Sequence, residues 1–348
     1  MYYRGFWDNL HVPVIGLAPM DGVTDAAFRY ITDRHGHPSL LFTEFTSVEG
    51  LDRGITGLLS AFIYHRTETP TIAQVFGITP QAFYRSTLIA AALGFSGVDI
   101  NMGCPDKNVA RRGGGAGLIQ NPQLAKAIIS SAKQAAKDWV DDITLKQAQI
   151  HPDVVSWIVA FQKTNNIFPA RTILPISVKT RIGYDKIVTK EWVSYLLETE
   201  PANITIHGRT LKQLYSGEAN WDEIAVAAEI AHHTKTSLLG NGDVCDRQDA
   251  INKINTYKTD GVLIGRSSFG NPWVFTTNHA TPTERLAVAI EHAVAFKQFT
   301  PALPALSLRK HMSWYCKGFE NAHALRIQLM TATTADEMVE HISRWKLA

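Results

Sequence analysis

A chain of 348 residues, 45% hydrophobic and 19% charged, is long enough for one large α/β domain plus a smaller one, and too apolar to be intrinsically disordered. Its three cysteines, Cys104, Cys245 and Cys316, are odd in number and far apart, which argues for a reducing compartment and against a disulfide framework or a zinc or other metal site. The net charge of +2 permits a nucleic-acid partner without demanding one, and no long apolar run or signal-peptide pattern marks residues 1–12, so the expectation is a cytoplasmic protein with no membrane contact.

In chain order, eight apolar, β-rich pieces recur at 14–17, 40–44, 71–75, 97–101, 176–181, 203–207, 237–241 and 261–264, with helical segments between them. Near-continuous apolar strands alternating with amphipathic helices imply a parallel sheet covered on its outer face, and eight such units predict an α/β fold of the closed (β/α)8 TIM-barrel type. A doubly wound sheet is the alternative. It is disfavoured because the phosphate-type glycines come late in the chain, whereas the dinucleotide fingerprint follows a first strand. Between a helix at 122–139 and the fifth strand, Val154, Val155, Ile158, Val159 and Phe161 stand at helical spacing and predict an added helix over 152–163. After about 281 the strand signals stop, and apolar spacing at 286–299, 308–315, 322–330 and 338–345 predicts a small all-helical domain. The reading is thus a monomer with a catalytic barrel over 1–280 and a helical domain over 281–348, joined by the polar, proline-ended stretch 276–282.

Functional groups of such a barrel gather at the C-terminal ends of its strands. The fourth strand ends in Asn101-Met102-Gly103-Cys104-Pro105, and a basic, then glycine-rich loop follows with Lys107, Asn108, Arg111 and Arg112. A lone cysteine is most often a small buried hydrophobe. The density of polar groups around Cys104 is more than a structural loop needs, which makes it the candidate catalytic residue.

Asn241-Gly242-Asp243 and Gly265-Arg266 end the seventh and eighth strands, and the segment 269–275 is expected to form a short extra helix, as in the phosphate-binding corner of this fold. Backbone N–H groups of Gly242, Gly265 and Arg266, with the Arg266 guanidinium, suit one phosphate. An attached ring would then lie over the barrel mouth, where Gln74, Lys179 and His207 meet its edges, and this suggests FMN. Each of the three has a plain structural alternative, as backbone hydrogen bonder, salt-bridge partner or loop anchor. Together they are more telling.

At this point the residues resemble a family. Leu17-Ala18-Pro19-Met20-Asp21-Gly22-Val23-Thr24-Asp25, Asp99-Ile100-Asn101-Met102-Gly103-Cys104-Pro105, Val178-Lys179-Thr180-Arg181, His207-Gly208-Arg209-Thr210 and Gly240-Asn241-Gly242-Asp243 look like the tRNA-dihydrouridine synthases. The resemblance runs over essentially the whole chain, and the tail with Arg309-Lys310-His311, Trp314-Tyr315 and Leu325-Arg326 is similar to that of the bacterial B-type group. The stretch 140–175 departs from it by being longer. What the resemblance implies is an FMN enzyme that reduces the C5=C6 bond of one uridine in tRNA, with NADPH as electron donor and Cys104 as proton donor. It also implies Pro19, Met20, Asp21, Gln74, Lys179, His207, Asn241, Gly242, Asp243, Gly265 and Arg266 around the flavin. Asn101, Lys107, Arg111, Arg309, Lys310 and Arg326 are expected on the RNA side. Residues 281–348 hold eight Lys or Arg, Lys346 among them, against six Asp or Glu, which accounts for the whole excess of +2. Clustering of Arg309, Lys310, His311 and Lys317 on one predicted helix points to phosphate contact.

Two other classes stay open: a flavin barrel acting on a free pyrimidine or other small enone, and a non-catalytic RNA-binding barrel. A basic, aromatic tail speaks against the first, and an intact Cys104, Lys179 and Gln74 set against the second.

Overall fold

The computed structural model describes residues 4–65, 69–301 and 303–345, so Lys346 lies outside the described residues. The strands among them are β1 (Val14–Leu17), β2 (Leu41–Phe42), β3 (Thr46–Ser47), β4 (Thr71–Phe76), β5 (Gly97–Met102), β6 (Ile176–Gly183), β7 (Asn203–Thr210), β8 (Ser237–Asn241) and β9 (Gly261–Ile264). Every ladder is parallel, in the order β1-β9-β8-β7-β6-β5-β4-β2, with β3 beside the end of β4. Leu17 N–H donates to Leu40 O at 3.0 Å and Ser39 N–H to Ile15 O at 2.9 Å, which closes the ring. The predicted (β/α)8 barrel is the fold. The predicted second strand is split, however, because Thr43 turns its Oγ1 to accept from Gln74 N–H at 3.0 Å, where an unbroken ladder would offer a carbonyl.

Residues paired across parallel strands share a face. One interior layer therefore joins Gln74, Asp99, Ser177 and Asn203; the next joins Asn101, Lys179 and Thr205; the top layer joins Arg181, His207 and Asn241. On the other side of the barrel the interior is apolar, with Val14, Phe42, Ile72, Leu239 and Leu263 in one buried cluster. The barrel interior is thus polar along β4 to β7, and the cavity above it is lined from the ends of β1 and β5 to β9.

Outward-facing Ile100, Val178 and Ile204 pack under the helices, which start at local caps: Asn121 for Pro122–Val140 and Asp25 for Ala26–Gly36. The added helix of the long insertion is Pro152–Asn165, anchored by buried Val154 and Ile158 and by Gln162 Nε2, which donates to Ala92 O at 2.6 Å. The extra helix expected at 269–275 is not an α-helix. Two 3-10 turns, Arg266–Ser268 and Pro272–Phe275, stand there, because the left-handed Gly270 at φ +60° interrupts the run.

The tail forms Pro282–Phe299, Leu306–Tyr315, Ala322–Thr331 and Ala335–Arg344, the first opened by a Thr281/Glu284 capping box. Its core, with Leu308, Met312, Leu325, Leu329 and Met338, also contains Ala27 and Ile31 of the barrel helix Ala26–Gly36. Trp314 stacks on Phe269 at 4.0 Å between ring centroids, and a Cβ on Gly270 would lie 2.3 Å from Trp314 O. The tail is seated on the rim. Among the described residues no helix is long and apolar enough to cross a membrane.

Candidate active site

An open cavity of about 940 Å³ sits at the C-terminal end of the barrel. Pro19, Met20, Asp21, Asn101, Cys104, Lys179, His207, Asn241, Gly242, Asp243, Gly265 and Arg266 all line it, although they come from six separate stretches of chain. Barrel closure brings them together.

Cys104 is 7% exposed at the tip of β5. Asn101 builds the turn that holds it: its Oδ1 accepts from Gly103 N–H at 3.0 Å and Cys104 N–H at 2.8 Å. Behind the turn, Gly115 at φ +55° leaves room that a side chain would take, since its Cβ would lie 3.0 Å from the Cys104 Cβ and carbonyl oxygen. Burial pushes the thiol above its ordinary range, and the Asp106 and Asp21 charges add to this, against an Asp106 N–H and the Arg181 guanidinium. The group is a thiol at neutral pH and carries a proton.

Lys179 reaches the cavity floor and makes no ion pair among the described residues. Burial, helped by the charge of Arg181, lowers it to about 8 against the pull of Asp99. His207 is held well below the usual histidine range by burial and then by Lys179, Arg181, Arg209 and Arg266, so it is neutral. Arg209 forms a two-pronged bond to Asp243, Nη1 to Oδ1 at 3.0 Å and Nη2 to Oδ2 at 2.6 Å, and Arg266 Nη2 joins Asp243 Oδ1 at 2.8 Å. The Arg266 guanidinium also lies 5.2 Å from the Tyr215 ring centroid. The backbone N–H groups of Gly242, Gly265 and Arg266 have no acceptor among the described residues. Glycine is required at 242: φ is +126°, and a Cβ would strike Ala219 Cβ at 2.6 Å.

Gln74 is not on the lining. It is fully buried, donates from Nε2 to Asp99 Oδ2 at 2.7 Å, and accepts at Oε1 from Asn101 Nδ2 at 3.0 Å. Lys107 and Arg111 stand outside the cavity on the short helix Lys107–Arg111 that follows Cys104, exposed and without ion pairs among the described residues. Of the tail residues, Lys310 comes nearest: a Cβ on Gly22 would be 3.1 Å from its Nζ. Arg309 instead closes the helix Ala322–Thr331, with Nε donating to Ala332 O at 2.8 Å and Nη2 to Thr331 O at 3.3 Å. Arg326 is exposed and donates to Ser313 O at 3.4 Å. His311 leaves the expected basic cluster altogether. It is buried between tail and barrel, with its ring 5.5 Å from that of Phe28, 5.1 Å from that of His292, and its Nε2 3.7 Å from Asp25 Oδ2.

Arg181 and Tyr215 line the cavity and Arg209 supports it; in the sequence the two arginines are members of the quoted motifs without an assigned role, and Tyr215 is not singled out. Alternation within the strands is the signal that finds Arg181, two residues beyond Lys179 on the same face. Nothing local marks Tyr215, which arrives on the loop between β7 and β8.

The chain matches the family model described as dihydrouridine synthase (Dus) over residues 16–153 and 150–346. It is 32% identical to a "Probable tRNA-dihydrouridine synthase" of Staphylococcus epidermidis, over 97% of this chain and 95% of that one. With the "Probable tRNA-dihydrouridine synthase 2" of Bacillus subtilis it shares 32% identity, over 96% and 94% of the two chains. Among solved structures, DHODH from Eimeria tenella aligns with a TM-score of 0.47 and 11% identity over 73% of this chain and 76% of that one, a distance at which the likeness carries no functional weight.

Proposed function

Because the chain belongs to the dihydrouridine synthase family, we propose that it reduces the C5=C6 bond of a uridine in tRNA, with FMN as bound cofactor and NADPH as electron donor. The reading is of a cytoplasmic monomer. The observation that carries it is the uncompensated positive charge on the β6 to β9 side of the cavity. Lys179 is unpaired there, and Arg209 and Arg266 share one carboxylate, Asp243, beside three unused backbone N–H groups. Such a wall suits an anionic, phosphate-bearing ligand. These residues would hold FMN, with Gly242, Gly265 and Arg266 taking its phosphate and Pro19, Met20, Lys179 and His207 meeting its ring.

Saturating the C5=C6 bond takes a hydride equivalent at C6 and a proton at C5. Bound FMN, once reduced by NADPH, would supply the first. The second is the task of Cys104, which gives up its thiol proton and is left a thiolate. Arg181 then matters, because its charge opposes the upward shift of that thiol while its Nε donates to Gly103 O at 2.6 Å. Lys179 faces negative charge from the cavity floor, and the second N–H of the Asn101 amide is left for a substrate carbonyl.

A folded tRNA hides its bases, so the protein must grip the backbone beside the mouth. Lys107 and Arg111 are suited to it, exposed and unpaired next to Cys104. The double variant Lys107→Ala with Arg111→Ala is expected to weaken tRNA binding and flatten its salt dependence by about one to two units of slope, roughly one per lost phosphate contact. Binding titrations at several salt concentrations check this, and an unchanged slope places the grip elsewhere.

The function itself is tested in two measurements. Purified protein should carry a flavin absorbance, and tRNA from a deletion strain should lack dihydrouridine at a position that the restored gene refills. A colourless protein that takes up no FMN, together with an unaltered dihydrouridine pattern, would sink the reading.

A further inference from the structure

Asp99 is a buried carboxylate for which the proposed chemistry has no task. It is 0% exposed inside the barrel, below the cavity, and is not part of the lining. Ser177 Oγ donates to its Oδ1 at 2.6 Å and Gln74 Nε2 to its Oδ2 at 2.7 Å. Gln74 Oε1 accepts from Asn101 Nδ2 at 3.0 Å, and Asn101 Oδ1 accepts from the Gly103 and Cys104 N–H groups.

Side-chain amides present a donor at one end and an acceptor at the other, so orientations along such a chain are set by whichever group has no choice. Two groups here have none: the Asp99 carboxylate at one end, and the Gly103 and Cys104 N–H donors at the other. Both Asp99 oxygens accept, from Ser177 Oγ and from Gln74 Nε2, and these bonds with the charge of Lys179 favour the ionised form against burial, which pushes the group up to about 6. Gln74 must then turn Nε2 toward Asp99 and Oε1 toward Asn101. A reversed Gln74 would set Nε2 against Asn101 Nδ2, donor against donor, and Asn101 could relieve this only by swinging its oxygen away from the Cys104 turn. We infer that Asp99 is a positioning residue for Cys104: acting through Gln74 and Asn101, its carboxylate fixes the amide that holds the Cys104 turn. The inference rests on Cys104 being the proton donor proposed above.

Two variants test it, Asp99→Leu, which removes the acceptor while keeping the branched heavy-atom shape, and Asp99→Asn, which keeps a carbonyl oxygen that can face Gln74 while its N–H₂ faces Ser177 Oγ. Each is measured for kcat and KM on tRNA, for bound flavin by absorbance, and for the alkylation rate of Cys104 resolved by peptide mass spectrometry. Asp99→Leu is expected to keep its flavin, to lose at least about tenfold in kcat with KM within about twofold, and to alkylate Cys104 severalfold faster; these are hydrogen-bond-sized effects. Asp99→Asn should restore kcat to within about threefold and return the alkylation rate to that of the parent. If Asp99→Leu does not fold, the alkylation rate and kcat of Asp99→Asn decide alone: values near the parent's support the inference and a large loss overturns it. Parent-like alkylation and kcat in Asp99→Leu, or a loss that Asp99→Asn does not rescue, also overturn it. Alkylation is read whether or not the protein reduces uridine. An inactive parent with the expected alkylation pattern therefore counts against the proposed function, while an active parent with insensitive variants counts against this inference.

Discussion

Cys104→Ala is expected to lower the rate of uridine reduction by about 10² to 10⁴, the usual worth of a positioned general acid, while the protein keeps its flavin absorbance and its affinity for tRNA. The separation follows from where the thiol sits. It lines the cavity at the tip of β5, whereas the proposed phosphate corner is built by β8 and β9. Burial and nearby carboxylates hold the thiol above its ordinary range, so its proton is present throughout the neutral region. Loss of the thiol proton should therefore lower the parent rate only above the usual thiol range of about 8.5, and any decline from about pH 8 reports Lys179, which is lowered to about 8. Single-turnover reduction of tRNA by pre-reduced protein, followed across pH, checks both statements. An alanine variant with near-normal turnover removes Cys104 from the chemistry.

The second large effect is on stability. Asp243→Ala takes away the two-pronged partner of Arg209, a guanidinium whose side chain is 3% exposed. An orphaned buried charge of this kind costs about 3–5 kcal/mol, and since Asp243 itself is 31% exposed in its side chain, the lower end applies. Burial alone would raise the Asp243 carboxyl. Hydrogen bonds from Arg209 and Ala219, with the charges of Arg209 and Arg266, outweigh it and hold the group below the ordinary range. A depressed carboxylate stabilises the fold above its unfolded pKa of about 3.9 and loses that contribution as pH falls through the lower folded value. The gap between parent and variant in urea unfolding should thus be full at pH 7 and close as pH falls below the unfolded value of about 3.9. A gap under about 0.5 kcal/mol at neutral pH would show that water satisfies Arg209.

Much of this was legible in the sequence because strand ends are local. The barrel, the tail helices and the residues that meet in the cavity all follow from alternation plus the rule that function sits at C-terminal strand tips. Gln74 shows the limit. Its place at the end of a strand is visible, yet whether its amide faces a ligand or a carboxylate on the next strand depends on the pairing register that sets Gln74 against Asp99. In the tail it is His311 that leaves the expected basic cluster, because it is buried. Arg309, Lys310 and His311 are consecutive, and a helix sends consecutive side chains in different directions: one closes a neighbouring helix, one leans over Gly22, one is buried against Phe28. A cluster of charges in sequence is not a patch in space.

The shared apolar cluster of tail and barrel helix also fixes an order of assembly on the ribosome. β1 meets its β9 neighbour only once residue 264 has been made, and Ala27 and Ile31 are covered only when the helices Pro282–Phe299 and Leu306–Tyr315 arrive. Domains usually fold from the N-terminus as they emerge. Here the first helix of the barrel waits, apolar face bare, for nearly the last segment to be translated, so a nascent chain stalled before residue 282 is expected to be a client of chaperones rather than a finished barrel.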